Sequence, residues 1–133
     1  MRLTLVANED IVSGDMVAVD PNVAGRCVKA RITGTFEQAT AIGMAQNTTA
    51  AGNTCVITTD GPSNPSVYGG ALTPGEEYYV GIAAQIVTYQ QLRTTLQNGG
   101  YPTAYLAHVG TAASTDQLGI DLEPAVGVIP SDL

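Results

Sequence analysis

The feature that most constrains this chain is a repeated alternation of apolar and polar residues in short runs, separated by Gly, Pro, Asn and Asp. A period of two is that of a β-strand with one buried face, and short runs between turn residues are typical of sandwiches and barrels. We therefore predict an all-β fold, a compact β-sandwich or β-barrel of about nine short strands in a single domain over residues 1–133. The segments with this pattern are 3–7, 15–20, 26–32, 40–45, 54–60, 77–81, 85–88, 105–110 and 117–122.

Three strand candidates begin in the same way, after Gly14, Gly52 and Gly75. Each glycine is followed by a carboxylate or amide residue, and apolar residues stand at the third and fifth places after it. Glycine adopts a positive φ without a steric penalty, so we predict a left-handed turn residue at each position and an inward-facing alternation behind it. The core residues that this predicts are Val17, Val19, Cys55, Ile57, Tyr78 and Val80.

One segment has helical periodicity, at residues 88–97. Tyr89, Leu92 and Leu96 fall on one face, Thr88 is available as an N-cap, and Asn98-Gly99 follows as a stop signal. We predict a short helix inserted in the β-fold, placed to contact a neighbouring protein. A loop is the alternative, because Thr and Tyr are indifferent helix formers.

The charge pattern argues against whole classes of partner. The net charge is −7, which disfavours DNA, RNA and anionic membranes, since those surfaces are bound by clustered Lys and Arg. Charged residues make up only 13% of the chain, so its surface is easily desolvated, as contacts between subunits require. The first residues lack a secretory signal and no apolar run reaches bilayer length, so we expect synthesis in a cytoplasm.

The residues that could support chemistry do not form a recognisable motif. The single histidine, His108, could be joined to Ser114 and Asp116 as a triad, but no nucleophile elbow surrounds Ser114. Cys27 and Cys55 are interpreted as small buried hydrophobes, with a disulfide as the alternative. We predict no catalytic residue, no cofactor and no metal ligand, and hence a protein that is not an enzyme.

Residues that could contact a partner fall into three groups. The first segment, 1–7, has no hairpin neighbour in sequence and is a possible N-terminal arm that adds a strand to another protein's sheet. Lys29 and Arg31 share a face of one predicted strand, either as a docking patch or as charges that guard an edge. Tyrosines in loops or on the helix are the aromatic anchors. The predicted contact residues are Arg2, Leu3, Leu5, Lys29, Arg31, Tyr68, Tyr89 and Tyr101.

Five turn-and-strand phrases of the chain are IVSGDMVAVD at 11–20, ATAIGMA at 39–45, AAGNTCV at 50–56, ALTPGEEYYVG at 71–81 and HVGTA at 108–112. These phrases resemble those of the small cement-type proteins and related head-fibre or capsid-decoration domains of tailed bacteriophages. The resemblance covers most of residues 10–122 and departs from the family at 85–101, where similar proteins have a shorter connection.

The resemblance implies a structural protein that binds the major capsid protein on the outside of the assembled shell. Such subunits commonly form homotrimers, clamp neighbouring coat proteins and carry no catalytic residues. The expected location is the exterior of a virion, after synthesis in the cytoplasm of a host bacterium, with neither nucleic acid nor membrane as a partner. Two alternatives stay open: a tail-fibre or head-fibre module that binds a host surface, and a small β-barrel hydrolase or isomerase that depends on His108.

Overall fold

Three sheets contain the twelve short strands found among the residues that the structure describes. The structure is a computed structural model, and it describes residues 1–68, 70–82 and 84–133. The predicted all-β fold is therefore confirmed. It combines a closed five-stranded barrel, a five-stranded sheet and a two-stranded sheet.

The barrel is built from the first half of the chain, and its strands follow the order β1-β3-β2-β4-β5. β1 pairs in parallel with β3, and every other pairing in the barrel is antiparallel. The five strands are β1 (Arg2–Ala7), β2 (Met16–Val19), β3 (Arg26–Lys29), β4 (Gly43–Ala45) and β5 (Thr54–Thr58).

The second half of the chain forms the two open sheets. The larger has the order β6-β11-β10-β7-β8, and the smaller is the antiparallel pair β12-β9. Their strands are β6 (Gly61–Ser63), β7 (Glu77–Val80), β8 (Ile86–Thr88), β9 (Ala104–Leu106), β10 (His108–Ala112), β11 (Leu118–Ile120) and β12 (Val126–Val128).

The predicted helix is confirmed as α2 (Tyr89–Asn98). The Thr88 side chain caps its start, and Gln91 completes a capping box that had not been anticipated from the sequence. Leu92 and Leu96 are buried, whereas Tyr89 is 40% exposed. A four-residue helix, α1 (Phe36–Ala39), and a C-terminal 3-10 turn (Pro130–Asp132) complete the fold. Among the described residues, no helix has both the length and the apolar character needed to cross a bilayer.

Two hydrophobic cores share one wall of the barrel. Val17 of β2 belongs to the barrel interior, while its neighbours Met16 and Ala18 belong to the larger core under the second sheet. β4 divides in the same way, because Ala45 faces the barrel interior and Met44 faces the larger core. The barrel and the second sheet are thus packed together through strands that are buried on both faces.

The three predicted turn glycines have positive φ, at +95° for Gly14, +90° for Gly52 and +84° for Gly75. Five of the six core residues predicted behind them are buried. Val19 is the exception, with 41% of its surface exposed, because it ends β2 where the two cores no longer cover the strand.

Three predictions about the strands are wrong in detail. The segment 1–7 is not a free arm: β1 pairs with β5 from Arg2 to Val6 and with β3 at its end. The run 26–32 is not an edge strand, since β3 lies between β1 and β2. The run 105–110 is two strands in different sheets, divided at Ala107. In each case the deciding partner is distant in sequence.

Candidate interaction surface

The open edges of the sheets are the places where this fold can accept another strand. In the larger sheet the β6 edge contains Pro62, which has no N–H to donate. The β8 edge is covered by a bridge between Val67 and Ile86 and by the Tyr68 N–H, which donates to the Ile86 carbonyl. In the smaller sheet, β12 pairs with β9 and with no other strand among the described residues. Of these three edges, β12 is therefore the one left open to a partner.

The register of the β9-β12 pair shows which backbone groups face outward. Tyr105 is paired with Gly127, yet the Tyr105 N–H points away from β12 and donates to the Ile32 carbonyl at 3.0 Å. The Tyr105-Gly127 pair is therefore a non-hydrogen-bonded pair of the antiparallel ladder. Gly127 consequently turns its own N–H and C=O towards the open edge.

The side chains around this edge are apolar and exposed. Val126 is 61% exposed and Ile129 is 55% exposed. Nearby, the ring of Phe36 is 45% exposed and meets Tyr105 edge-to-face, with 6.2 Å between ring centroids. A shallow cavity of about 400 Å³ lies along the strand. Its lining residues are Gly34, Thr103, Ala104, Tyr105, Gly127, Val128 and Ile129.

The predicted tyrosine anchors do not form one patch. Tyr68 is 55% exposed and borders a cavity of about 190 Å³ beside α2. Tyr89 is 40% exposed and contacts the Tyr79 ring. Tyr101 is half-buried against the larger core and borders a different depression, next to Pro130. Tyr68 and Tyr89 therefore stay the more accessible of the three.

In the predicted basic patch, Glu9 accepts hydrogen bonds from the Arg31 side chain and from the Lys29 backbone. The Arg31 guanidinium donates two hydrogen bonds to the Glu9 carboxylate, at 2.8 and 3.2 Å, and the Lys29 N–H donates a third at 3.0 Å. Burial would raise the pKa of Glu9, but these bonds and the two positive charges lower it below its usual value. Arg31 is thus already paired inside the chain, which weakens its case as a docking charge.

The contact residues predicted in the first segment lie on the barrel wall. Leu3 and Leu5 pack against the barrel core, whereas Arg2 is exposed on the outside. Their strand holds five register pairs with β5, from Arg2↔Thr58 to Val6↔Thr54. The apolar side chains that suggested an arm therefore serve the barrel itself.

His108 lies in an acidic depression of about 210 Å³ that also touches β12 through Val126. Its Nδ1 is 3.0 Å from the Asp121 carbonyl oxygen and 3.3 Å from Glu123 Oε1, and its Nε2 is 3.4 Å from Glu77 Oε1. The triad considered from sequence is not assembled, because Ser114 instead donates to Asp116 in a local turn. No local sequence signal indicates these carboxylates, because they come from β7 and from the segment after β11.

Cys27 and Cys55 are fully buried in the barrel core as free thiols. Burial and the neighbouring Cys55 thiol raise the pKa of Cys27 to about 12. Burial likewise raises the pKa of Cys55. The interpretation of both residues as small buried hydrophobes is therefore confirmed, and their chemistry is that of unreactive thiols.

No protein-family model matches this chain, and no curated protein matches it.

Proposed function

We propose that this protein is a structural virion protein that binds the outer surface of an assembled bacteriophage capsid and stabilises it, most simply as a homotrimer. The observation that supports a protein-binding role is the open apolar edge of β12. Its backbone groups at Gly127 are free to pair, and Val126 and Ile129 flank them with exposed apolar surface. The capsid as partner is inferred from the sequence phrases described above.

The proposed contact is β-strand addition. An edge strand of the major capsid protein would pair with β12, and its side chains would cover Val126 and the cavity beside Tyr105. A low content of charged residues, 13% of the chain, keeps the desolvation cost of such contacts small.

The proposed effect on the shell follows from linkage. A protein that binds the assembled shell and not its free subunits stabilises the shell by mass action, and many copies multiply the effect. No covalent step is involved. Trimers would present three β12 edges to neighbouring coat subunits. Light scattering after size-exclusion chromatography measures the oligomeric state directly.

The test is co-sedimentation with expanded, undecorated capsids, using two variants at one position. Gly127→Pro removes the outward N–H, whereas Gly127→Ala keeps it, and a Cβ at this position would meet its nearest neighbour, Tyr105, at 4.0 Å. We expect saturable binding at a fixed ratio for the wild type and Gly127→Ala, with a shell that resists heating better. Gly127→Pro should bind capsids at least about tenfold more weakly than the wild type, because it loses roughly one well-formed hydrogen bond and disturbs the bonds beside it.

Circular dichroism on both variants separates loss of binding from loss of folding. If the folded Gly127→Pro variant sediments with capsids as the wild type does, strand addition at β12 is wrong. If the wild type does not bind capsids at all, the capsid role is wrong.

The second candidate function is a fibre module that binds a host surface. It is favoured by Tyr68, which stands 55% exposed at the rim of an apolar cavity lined by Ile82, Val87 and Leu92. An exposed aromatic ring beside a concave apolar site is a common arrangement for small-ligand binding. Binding of the wild type to host-cell glycans, lost in Tyr68→Ala and retained in Tyr101→Ala, would favour this function over the capsid role.

A further inference from the structure

One ring nitrogen of His108, Nε2, is buried and has no hydrogen-bond partner among the described residues. The side chain as a whole is 10% exposed. Glu77 Oε1 lies 3.4 Å from Nε2 without forming a hydrogen bond. A buried polar atom without a partner costs free energy, so the surroundings of this ring are better suited to another protonation state.

Both ring nitrogens of His108 face oxygen atoms that accept hydrogen bonds. On one side, Nδ1 is 3.0 Å from the Asp121 carbonyl oxygen and 3.3 Å from Glu123 Oε1. On the other side, Nε2 faces the Glu77 carboxylate. A neutral imidazole has one N–H and one lone pair, so each of its two tautomers directs a lone pair at an acceptor. Only the imidazolium, with an N–H on both nitrogens, can donate on both sides.

The charges around this ring are negative. Among the ion pairs of the described residues, Glu77 and Glu123 have His108 as a partner and no lysine or arginine. A carboxylate oxygen of Asp121 also lies within 4.8 Å of a ring nitrogen. The Tyr79 ring packs edge-to-face on the imidazole, with 5.5 Å between centroids. Burial and the charges of Glu77 and Glu123 raise the pKa of Tyr79, so its phenol stays neutral. A positive charge on the imidazole would therefore be attracted by three carboxylates.

We infer that His108 is a proton-operated clasp, formed with Glu77 and the Asp121 carbonyl. When the ring takes up a proton at Nε2, Nε2–H donates to Glu77 while Nδ1–H donates to the Asp121 carbonyl. Glu77 is 64% exposed, so its carboxylate can pass a proton from water to Nε2. The imidazolium then joins three segments: β7, which contains Glu77, β10, which begins at His108, and the segment after β11.

The segment after β11 is the part of the chain that the clasp would restrain. Two backbone hydrogen bonds already attach it to β10. Asp121 N–H donates to the Val109 carbonyl at 2.8 Å, and Glu123 N–H donates to the His108 carbonyl at 3.1 Å. The chain then enters β12, whose Val126 borders the same depression as His108. Acidification should therefore restrain the segment that leads into the open edge, and this effect does not depend on the proposed function.

The protonation state of the ring can be observed directly, because the chain contains one histidine and its ring signals need no assignment. In ¹⁵N-labelled protein, long-range ¹H–¹⁵N spectra report which ring nitrogens carry a proton. We expect the Nδ1–H tautomer at alkaline pH. At about pH 5.5, where free glutamate is ionised and free histidine is protonated, we expect protons on both nitrogens and an Nε2–H that exchanges slowly with water.

Two variants measure the contribution of each carboxylate to proton binding. Removal of one unit charge 3.4 Å from the ring should weaken proton binding by about tenfold when that charge lies mostly in water. In Glu77→Gln and in Glu123→Gln, half of the rings should therefore be protonated only at about tenfold higher proton concentration than in the wild type. Glu76→Gln is the matched control. It removes a neighbouring exposed charge that does not border the depression, and it should titrate as the wild type does.

Hydrogen exchange of the Asp121 and Glu123 amides tests the restraint on the segment after β11. Relative to the intrinsic rate at each pH, both amides should exchange about tenfold more slowly at about pH 5.5 than at about pH 7.5, the effect of roughly one hydrogen bond to a charged group. In His108→Gln this difference should disappear. The Ala7 amide of the barrel, which donates to the Asn53 carbonyl, should not respond in either protein.

Three results would overturn the proposal: an Nε2–H tautomer at alkaline pH, half-protonation at the same pH in the wild type and folded Glu77→Gln, or amide exchange that does not depend on His108. Circular dichroism checks the fold of each variant. Glu77→Gln changes an exposed side chain, so the proton titration still tests the proposal if His108→Gln does not fold. All of these measurements use the isolated protein, so their outcome is separate from that of the capsid experiment.

Discussion

Gly14 is subject to two separate constraints that an alanine side chain would violate. Its φ is +95°, in the left-handed region that L-residues with a Cβ disfavour. A Cβ built there would also lie 2.8 Å from Ser66 N, 3.1 Å from Pro65 C and 3.2 Å from Asn64 O, all of them backbone atoms. The same contact carries a hydrogen bond, from Ser66 N–H to the Gly14 carbonyl at 2.9 Å. Gly14 thus joins the barrel to the segment that follows β6.

The other two turn glycines separate these effects. Gly52, at φ +90°, and Gly75, at φ +84°, have no atom of the described residues within 4 Å of an added Cβ. Gly52→Ala and Gly75→Ala should therefore cost only the conformational penalty, about 1–2 kcal/mol. Gly14→Ala adds an overpacking cost of about 1–3 kcal/mol, for a total of about 2–5 kcal/mol. For a chain of this size, Tm should fall by about 3–8 °C in Gly52→Ala and Gly75→Ala, and by about 6–20 °C in Gly14→Ala.

Thermal and urea unfolding of the three variants, followed by circular dichroism, measures the difference. We expect Gly14→Ala to be the least stable, with the other two close to each other. Equal losses in all three would mean that the backbone contact with Ser66 carries no cost and that the close approach at Gly14 relaxes freely. A Gly14→Ala variant as stable as the wild type would refute the left-handed turn as well.

Three further predictions concern ionisable groups that are buried or half-buried. Because the folded pKa of Glu9 is lowered, the ionised carboxylate adds to the free energy of unfolding above the usual pKa of 4.5, and this contribution is lost as pH falls through the folded pKa. In urea titrations at acid and neutral pH, Arg31→Gln should show a smaller loss of stability on acidification than the wild type does. Burial raises the pKa of Asp15, although the Val12 N–H and Lys29 oppose the shift, so the ionised Asp15 carboxylate lowers the free energy of unfolding at neutral pH. Asp15→Asn should therefore increase stability near neutral pH, and a decrease would contradict the buried-charge argument. The thiols of residues 27 and 55 should react with Ellman's reagent only as fast as the barrel opens, and immediate reaction of the native protein would refute their burial.

Local signals were sufficient to predict much of the secondary structure. Thr88 and Gly99 bound α2, since capping depends on neighbouring residues alone. The turn glycines, Gly14 among them, were predictable because a positive φ is a property of one residue and its turn. The weakest strands escaped detection: β6 contains Pro62 and β12 is only three residues long, with Gly127 at its centre. Neither has an alternation long enough to recognise.

Strand partners and the acidic site could not be predicted, because they depend on contacts between distant segments. β1 and β5 are more than forty residues apart in sequence, so the alternation of Leu3 and Leu5 could be assigned to a buried face but not to a partner. His108, Glu77 and Glu123 likewise meet only because β10 pairs with β7 and the chain returns after β11.

Short strands, the helix at 89–98, the glycine turns and the burial of both thiols could all be predicted from the amino-acid sequence alone. Those outcomes follow from the period of side chains along a strand and from the φ preference of single residues. The tertiary structure alone decided that β1 closes a barrel, that Arg31 is neutralised by Glu9, and that β12 is left as an open edge. Pairing is set by which apolar faces can be buried together, a property of the whole chain that no local segment contains.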